Sequence, residues 1–345
     1  VLQRSSFFLH EKILWIPCLL WLNFFFFSCK SNRPNLSGVE VNLEVKRFEQ
    51  ELFAINDLNR DEAINRMVAG YGDFFTFYFN DFRWNTPTDS LQTWRDSLVA
   101  YVSDPLLRTL FDSVNHRFQD FSPHGSALTE ALRYYRLHFP EALIPRLITV
   151  INSPGHGAFT YGDSVLCIAL EDYMDPEFSY YRFLDIPDYL LRRFRPGYIV
   201  PNAMHVLITR DFPYDLMGKN LLDAMIYNGK VMYLKSQVMP EAADTLVTGF
   251  SSADLDWCRD NEKEIWKFFL SKNLLYSTDP LEYLKYVNDG PTTSGMPPES
   301  PGNIGSWLGW RIVGAYMKRF PATPLQQLML DEDGQQILTE SRYKP

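Results

Sequence analysis

The apolar positions of the chain change period several times. Val39, Val41, Leu43 and Val45 alternate with polar neighbours, the two-residue repeat of a strand. From there to residue 138 the spacing turns helical. Helices are predicted over 60–82, 89–102, 104–120 and 126–138, with Asp89 or Ser90 as a cap and Pro105, Pro123 and Pro140 as breaks. The texture then shifts to β-branched residues. Arg146–Ile151 (RLITVI) and Ser164–Leu170 (SVLCIAL) read as two further strands, and the turn-rich NSPGHGAFTYGD between them leaves room for an extended edge at Ala158–Tyr161. Beyond Pro196 helical spacing returns at Pro201–Phe212, Leu216–Val238, Ala253–Leu275, Pro280–Val287 and Ile304–Phe320, with a turn or two at Thr323–Met329. Residues 289–303 (DGPTTSGMPPESPGN) hold four Pro and three Gly, and form a loop suited to exposed contacts. No fixed repeat appears. The pattern predicts one α+β domain over 39–345, mostly helical with a small central sheet.

The amino terminus reads as an address. Arg4, His10 and Lys12 precede an uncharged run over 13–28, ILWIPCLLWLNFFFFS. As a helix that run spans roughly 24 Å, short of the ~30 Å hydrocarbon core, so a signal peptide is the better reading than a membrane span. It ends in Phe26-Phe27-Ser28-Cys29, which resembles a bacterial lipoprotein box. Ser28 and Cys29 fit that box, whereas Phe26 and Phe27 depart from it, and Cys18 has too little apolar chain before it. The expectation is a signal peptide over 1–28, a lipidated Cys29 and a polar tether over 29–38. Each buried lipid methylene contributes about 0.8 kcal/mol, and stable attachment takes more than one chain, as a triacylated cysteine supplies. Lys30 and Arg33 point to a periplasm-facing leaflet of the cell envelope.

Composition narrows the function. The chain has 345 residues, 33 basic against 42 acidic, net −9. Removing residues 1–28 removes Arg4, Lys12 and Glu11, leaving 31 against 41, net −10. That balance argues against a nucleic-acid partner, which needs a basic stripe. An apolar share of 46% is enough for a sizeable core. Four cysteines are too few for a disulfide scaffold, and sequence leaves open whether Cys167 pairs with Cys258. Catalytic signatures are missing. There is no H-E-x-x-H, C-x-x-C, G-x-S-x-G or phosphate-loop pattern, and Gly155-His156-Gly157 to Gly162 has the wrong spacing for a dinucleotide. Glu171-Asp172 is read as a strand-end or turn pair rather than an acid–base pair. No metal or cofactor is expected.

Several blocks together resemble one family. They are Asn202–Phe212 with Leu222–Tyr233 (LDAMIYNGKVMY), Trp257–Asp279 (WCRDNEKEIWKFFLSKNLLYSTD), Ser300–Met317 (SPGNIGSWLGWRIVGAYM) and the closing Ser341–Pro345. Over the whole mature chain this looks like a GldB-type gliding-motility lipoprotein of the Bacteroidota. The resemblance implies a non-catalytic, membrane-anchored structural or interaction component of the gliding machinery and its associated secretion system. A more distant similarity, in the order of elements, is to zinc peptidases of the gluzincin type. There Val165–Leu170 would be the cleft strand, Asn202–Phe212 the metal helix and Leu222–Leu234 the helix giving a third ligand. Neither Met204-His205-Val-Leu-Ile208 nor the register from His205 supplies two imidazoles one turn apart, and Asn228 stands where a glutamate is wanted. The resemblance thus implies a degenerate site at Met204, His205, Ile208 and Asn228. His205 also reads plainly as a hydrogen-bonded core residue, and Gly229 as a point of close helix approach. Trp307, Trp310 and Tyr316 are candidates for a core or cleft wall and for interaction. The alternatives are an envelope hydrolase and a periplasmic peptide-binding module.

Overall fold

The β-branched runs do form strands, and burial explains why one of them lacks alternation. The computed structural model describes residues 34–82, 91–151, 155, 157–215 and 217–345. Strands β1 (Val45–Arg47), β2 (Arg146–Val150), β3 (Ala158–Tyr161) and β4 (Val165–Ala169) make one mixed sheet in the order β1-β2-β4-β3. β2 runs parallel to both β1 and β4, with Ile148 opposite Cys167. β3 is the antiparallel edge expected at 158–161. Every residue of β4 is buried, so it reads as a continuous apolar run. The strand expected over Val39–Val45 is shorter and later. Upstream of it, Arg133 donates to the carbonyls of Val39 (2.8 Å) and Leu36 (2.9 Å), so a side chain takes the place of a neighbouring strand.

The helices before the sheet are α1 (Phe48–Phe53), α2 (Arg60–Tyr71), α3 (Asp73–Phe82), α4 (Leu91–Ser103), α5 (Pro105–Arg117) and α6 (Ser122–His138). The single helix expected over 60–82 breaks at Gly72, whose φ of 57° is a conformation that only glycine adopts without strain. Pro123 sits in the first turn of α6 and opens the helix rather than breaking it. The hub of this half is Phe48. It is fully buried among Tyr71, Phe74 and Tyr78, with the Tyr71 ring edge-on at 4.9 Å. Truncating such a ring costs roughly 3–5 kcal/mol.

After the sheet come α7 (Asp188–Leu191), α8 (Ile199–Asp211), α9 (Leu221–Val238), α10 (Asp244–Thr248), α11 (Ser252–Asp260), α12 (Glu262–Ser271), α13 (Pro280–Val287), α14 (Ile304–Arg319), α15 (Leu325–Leu330) and α16 (Gly334–Ser341). The helix expected over 253–275 is two, because the Asn261 side chain takes the Trp257 carbonyl at 2.8 Å and ends α11. Asn35–Pro345 forms one compact α+β unit, mostly helical around the small mixed sheet. Among the described residues no helix is long and apolar enough to cross a membrane.

Candidate functional site

Two helices build the floor of a cleft. α8 begins after a tight turn at Pro196–Tyr198 and tolerates Pro201 in its first turn, where the missing N–H would have no helical partner. Its inner face, Ala203, Met204, Leu207 and Ile208, is buried in the core. Its other face turns Asn202, His205 and Val206 to the cleft. α9 is launched by a reciprocal cap, Asn220 accepting from the Asp223 N–H and Asp223 from the Asn220 N–H, both at 3.1 Å. Along it Asn228, Val231, Met232 and Lys235 follow one helical stripe into a cavity of about 370 Å³. Asn202, His205 and Arg193 also border an adjoining hollow of about 410 Å³.

Close packing behind α9 fixes that stripe. A Cβ on Gly229 would lie 2.3 Å from the Gly309 carbonyl carbon, and one on Gly309 would lie 1.8 Å from the Met225 oxygen. Backbone therefore meets backbone where α9 crosses α14. The contact brings the Asn228 amide to donate to Ser306 Oγ at 2.8 Å and to the Val287 carbonyl at 3.2 Å. Ser306 in turn donates to the Val287 carbonyl.

The cleft is charged, and its charges are unequally matched. Arg193, just past α7, donates twice to Asp289 at 2.7 and 2.9 Å, and through Nε to the Gly249 carbonyl at 2.9 Å. Gly249 ends α10 at φ 77°, and a Cβ there would press on the guanidinium at 2.9 Å. Burial works against the Asp289 charge, but Arg193 outweighs it and holds the carboxyl below its usual range. Lys235 is 7% exposed and donates to the Val247 carbonyl at 2.8 Å. Burial, then the Arg193 charge, lower its pKa to about 7, with Asp289 opposing. His205 is exposed to solvent along the cleft, while protein atoms crowd one side of its ring. That desolvation, followed by the Lys235 charge, lowers its pKa to about 4. His205 is therefore neutral at pH 7.

Asp172 of the acidic pair lines the adjoining hollow. Glu171 and Asp172 lie on a buried 3-10 turn, Leu170–Tyr173. The Asp172 carboxylate accepts from the N–H groups of Gly155 (2.9 Å) and Gly157 (2.6 Å), pinning the turn-rich connection to the end of β4. Tyr173 Oη accepts from the Asn202 amide at 3.1 Å.

The structure sorts the sequence candidates. His205 and Asn228 share the cleft, whereas Met204 and Ile208 are core residues with no exposure. Trp307 is 1% exposed, Tyr316 is buried and Trp310 is half-buried, all on α14 and packed with the hydrophobic core. Cys29 lies outside the described residues. Cys167 and Cys258 are buried free thiols. The 289–303 loop is exposed at its tip, but Thr293 Oγ1 donates to the Pro301 carbonyl at 2.6 Å and both residues are buried. Sequence reasoning missed Arg193, Lys235, Asp289 and Asn303 as cleft residues. Only Lys235 carried a signal, standing seven residues after Asn228 on one helix face.

This donor set does not suit zinc, which takes three or four N, S or O ligands with little competition. The cleft offers one imidazole, neutral amides and a carboxylate already holding a guanidinium. Among the described residues no three His, Cys, Asp or Glu side chains converge as a metal site. A family model described as "Gliding motility protein GldB" matches residues 29–345. No curated protein and no solved structure matches the chain.

Proposed function

The chain belongs to the GldB family of gliding motility lipoproteins, and from that premise we propose that it works by holding a partner at the membrane, not by chemistry. Cys29 carries the lipid, residues 29–38 form the tether, and the body over 39–345 presents the Lys235 cleft to a component of the gliding and secretion machinery. The observation that carries the reading is the extent of the family match, which opens at the cysteine itself. Lys30 and Arg33 beyond it favour a periplasm-facing leaflet.

The cleft's hydrogen bonding supports a binding role over the hydrolase alternative. A hydroxyl nucleophile must give its proton to a neighbouring base. Ser306 donates instead to the Val287 carbonyl, and Thr248 to the Asp244 carbonyl at 2.7 Å. Asn228 offers an amide where an acid–base group would be needed. The test is a Cys29→Ala substitution in cells. We expect the protein to leave the membrane fraction and gliding to stop. Membrane retention unchanged by the substitution would refute the anchor.

A further inference from the structure

The cleft's unspent hydrogen-bonding groups are of two kinds. Lys235 has one donor on the Val247 carbonyl, and two remain. Three groups bear on its charge. Arg193 is neutralised by Asp289, and His205 is neutral at pH 7. Lys235 is thus left without a carboxylate in contact at the cavity wall, and an anion arriving there would favour its charged form. On the acceptor side, Asn303 stands at φ 62° ahead of α14, and its amide donates to Asp289 at 3.3 Å. Its Oδ1 is buried without a hydrogen-bond partner. A buried acceptor left unpaired is destabilising, and a ligand N–H that reaches it would recover that loss. Val231, Met232 and Leu246 supply apolar wall beside these groups.

We propose that this cleft takes the free C-terminal carboxylate of a peptide chain, with Lys235 holding the carboxylate and Asn303 accepting a backbone N–H. A ligand that meets both groups carries an anion and an amide donor within one cavity of about 370 Å³, with small side chains against aliphatic walls. A peptide end has all of these. A lone small acid lacks the donor, and a sugar acid would leave the aliphatic wall unmatched. The inference rests on the cleft being the contact surface of the proposed function.

The test is isothermal titration of the full chain in detergent, at pH 7, with N-acetyl-Ala-Ala as the free acid and as the C-terminal amide, in two buffers of different ionisation enthalpy. The acid should bind at least tenfold tighter than the amide. Because burial lowers the Lys235 pKa towards neutrality, binding of the acid should take up a fraction of a proton per site. Lys235→Met should erase the preference for the acid. Lys235→Arg, always charged, should keep the preference and abolish the uptake. Equal binding of acid and amide, or no binding of either, would overturn the proposal, as would acetate binding as tightly as the peptide. If the variants fail to fold, the wild-type acid–amide comparison still decides it. Any of these failures would leave the Cys29 anchor, which fractionation reads, untouched.

Discussion

Two identical substitutions on α14 should have opposite effects. Gly309→Ala places a methyl 1.8 Å from the Met225 oxygen, so α9 and α14 must separate by about 1.6 Å to reach an ordinary contact near 3.4 Å. Overpacking of a tight interior costs about 1–3 kcal/mol, and a backbone obstacle that cannot rotate away puts this site at the upper end. Separation also strains the Asn228 bonds to Ser306 and Val287, at about 1 kcal/mol each. Alanine's helix preference returns about 1 kcal/mol. The net expectation is a loss of about 3–4 kcal/mol. Gly314, on the same helix, has nothing within 4 Å of its would-be Cβ. Gly314→Ala should therefore stabilise by about 0.4–1 kcal/mol, mainly by restricting the unfolded chain. Urea denaturation followed by circular dichroism reads both. Similar midpoints for the two variants would refute the backbone-on-backbone crossing, and with it the explanation for how Asn228 and Lys235 are aimed.

The ionisable groups of the cleft and core set further expectations. Lys235 has a folded pKa lowered to about 7, so between there and its unfolded value the unfolded state holds more protons. Stability should rise with pH from 7 to 8.5, by up to about 1.4 kcal/mol per unit, and Lys235→Met should flatten that slope in denaturation curves. His205, lowered to about 4, works on the acid side by the same sign. Its contribution is lost as pH falls from 6.5 towards 4, and His205→Gln should soften acid unfolding over that window. Burial raises the pKa of both thiols, Cys258 to about 12, so a thiol reagent should label Cys167 and Cys258 only after unfolding. Rapid labelling of the folded protein would show that their packing is looser than described.

Some of this architecture is legible in the sequence because it is local. The β-branched runs at 146–151 and 164–170 mark two buried strands, and the Pro- and Gly-rich loop before Ile304 marks where α14 starts. Breaks at Gly72 and Asn261 were harder to see, since each sits inside an otherwise helical spacing. What stops the helix there is one dihedral or one side-chain bond. The alternation at 39–45 looks like a strand, but only the segment from Val45 finds a neighbour. The cleft lay furthest from reach. His205 and Asn228 stood out by their types. Arg193 and Asp289 are 96 residues apart in the chain, and no spacing rule joins them. Lys235 on a helix reads as a solvated position until the Val247 carbonyl and the Arg193 charge are seen beside it.

The central claim is that the body acts by holding rather than by reacting. Gliding of cells whose only copy carries His205→Gln tests it most directly. Glutamine keeps a neutral hydrogen-bonding side chain but cannot serve as a proton-transfer base. The account predicts gliding at the wild-type rate. Loss of gliding, with the variant present in the membrane at wild-type level and still binding the acid peptide as the wild type does, would contradict it and make the imidazole a chemical group.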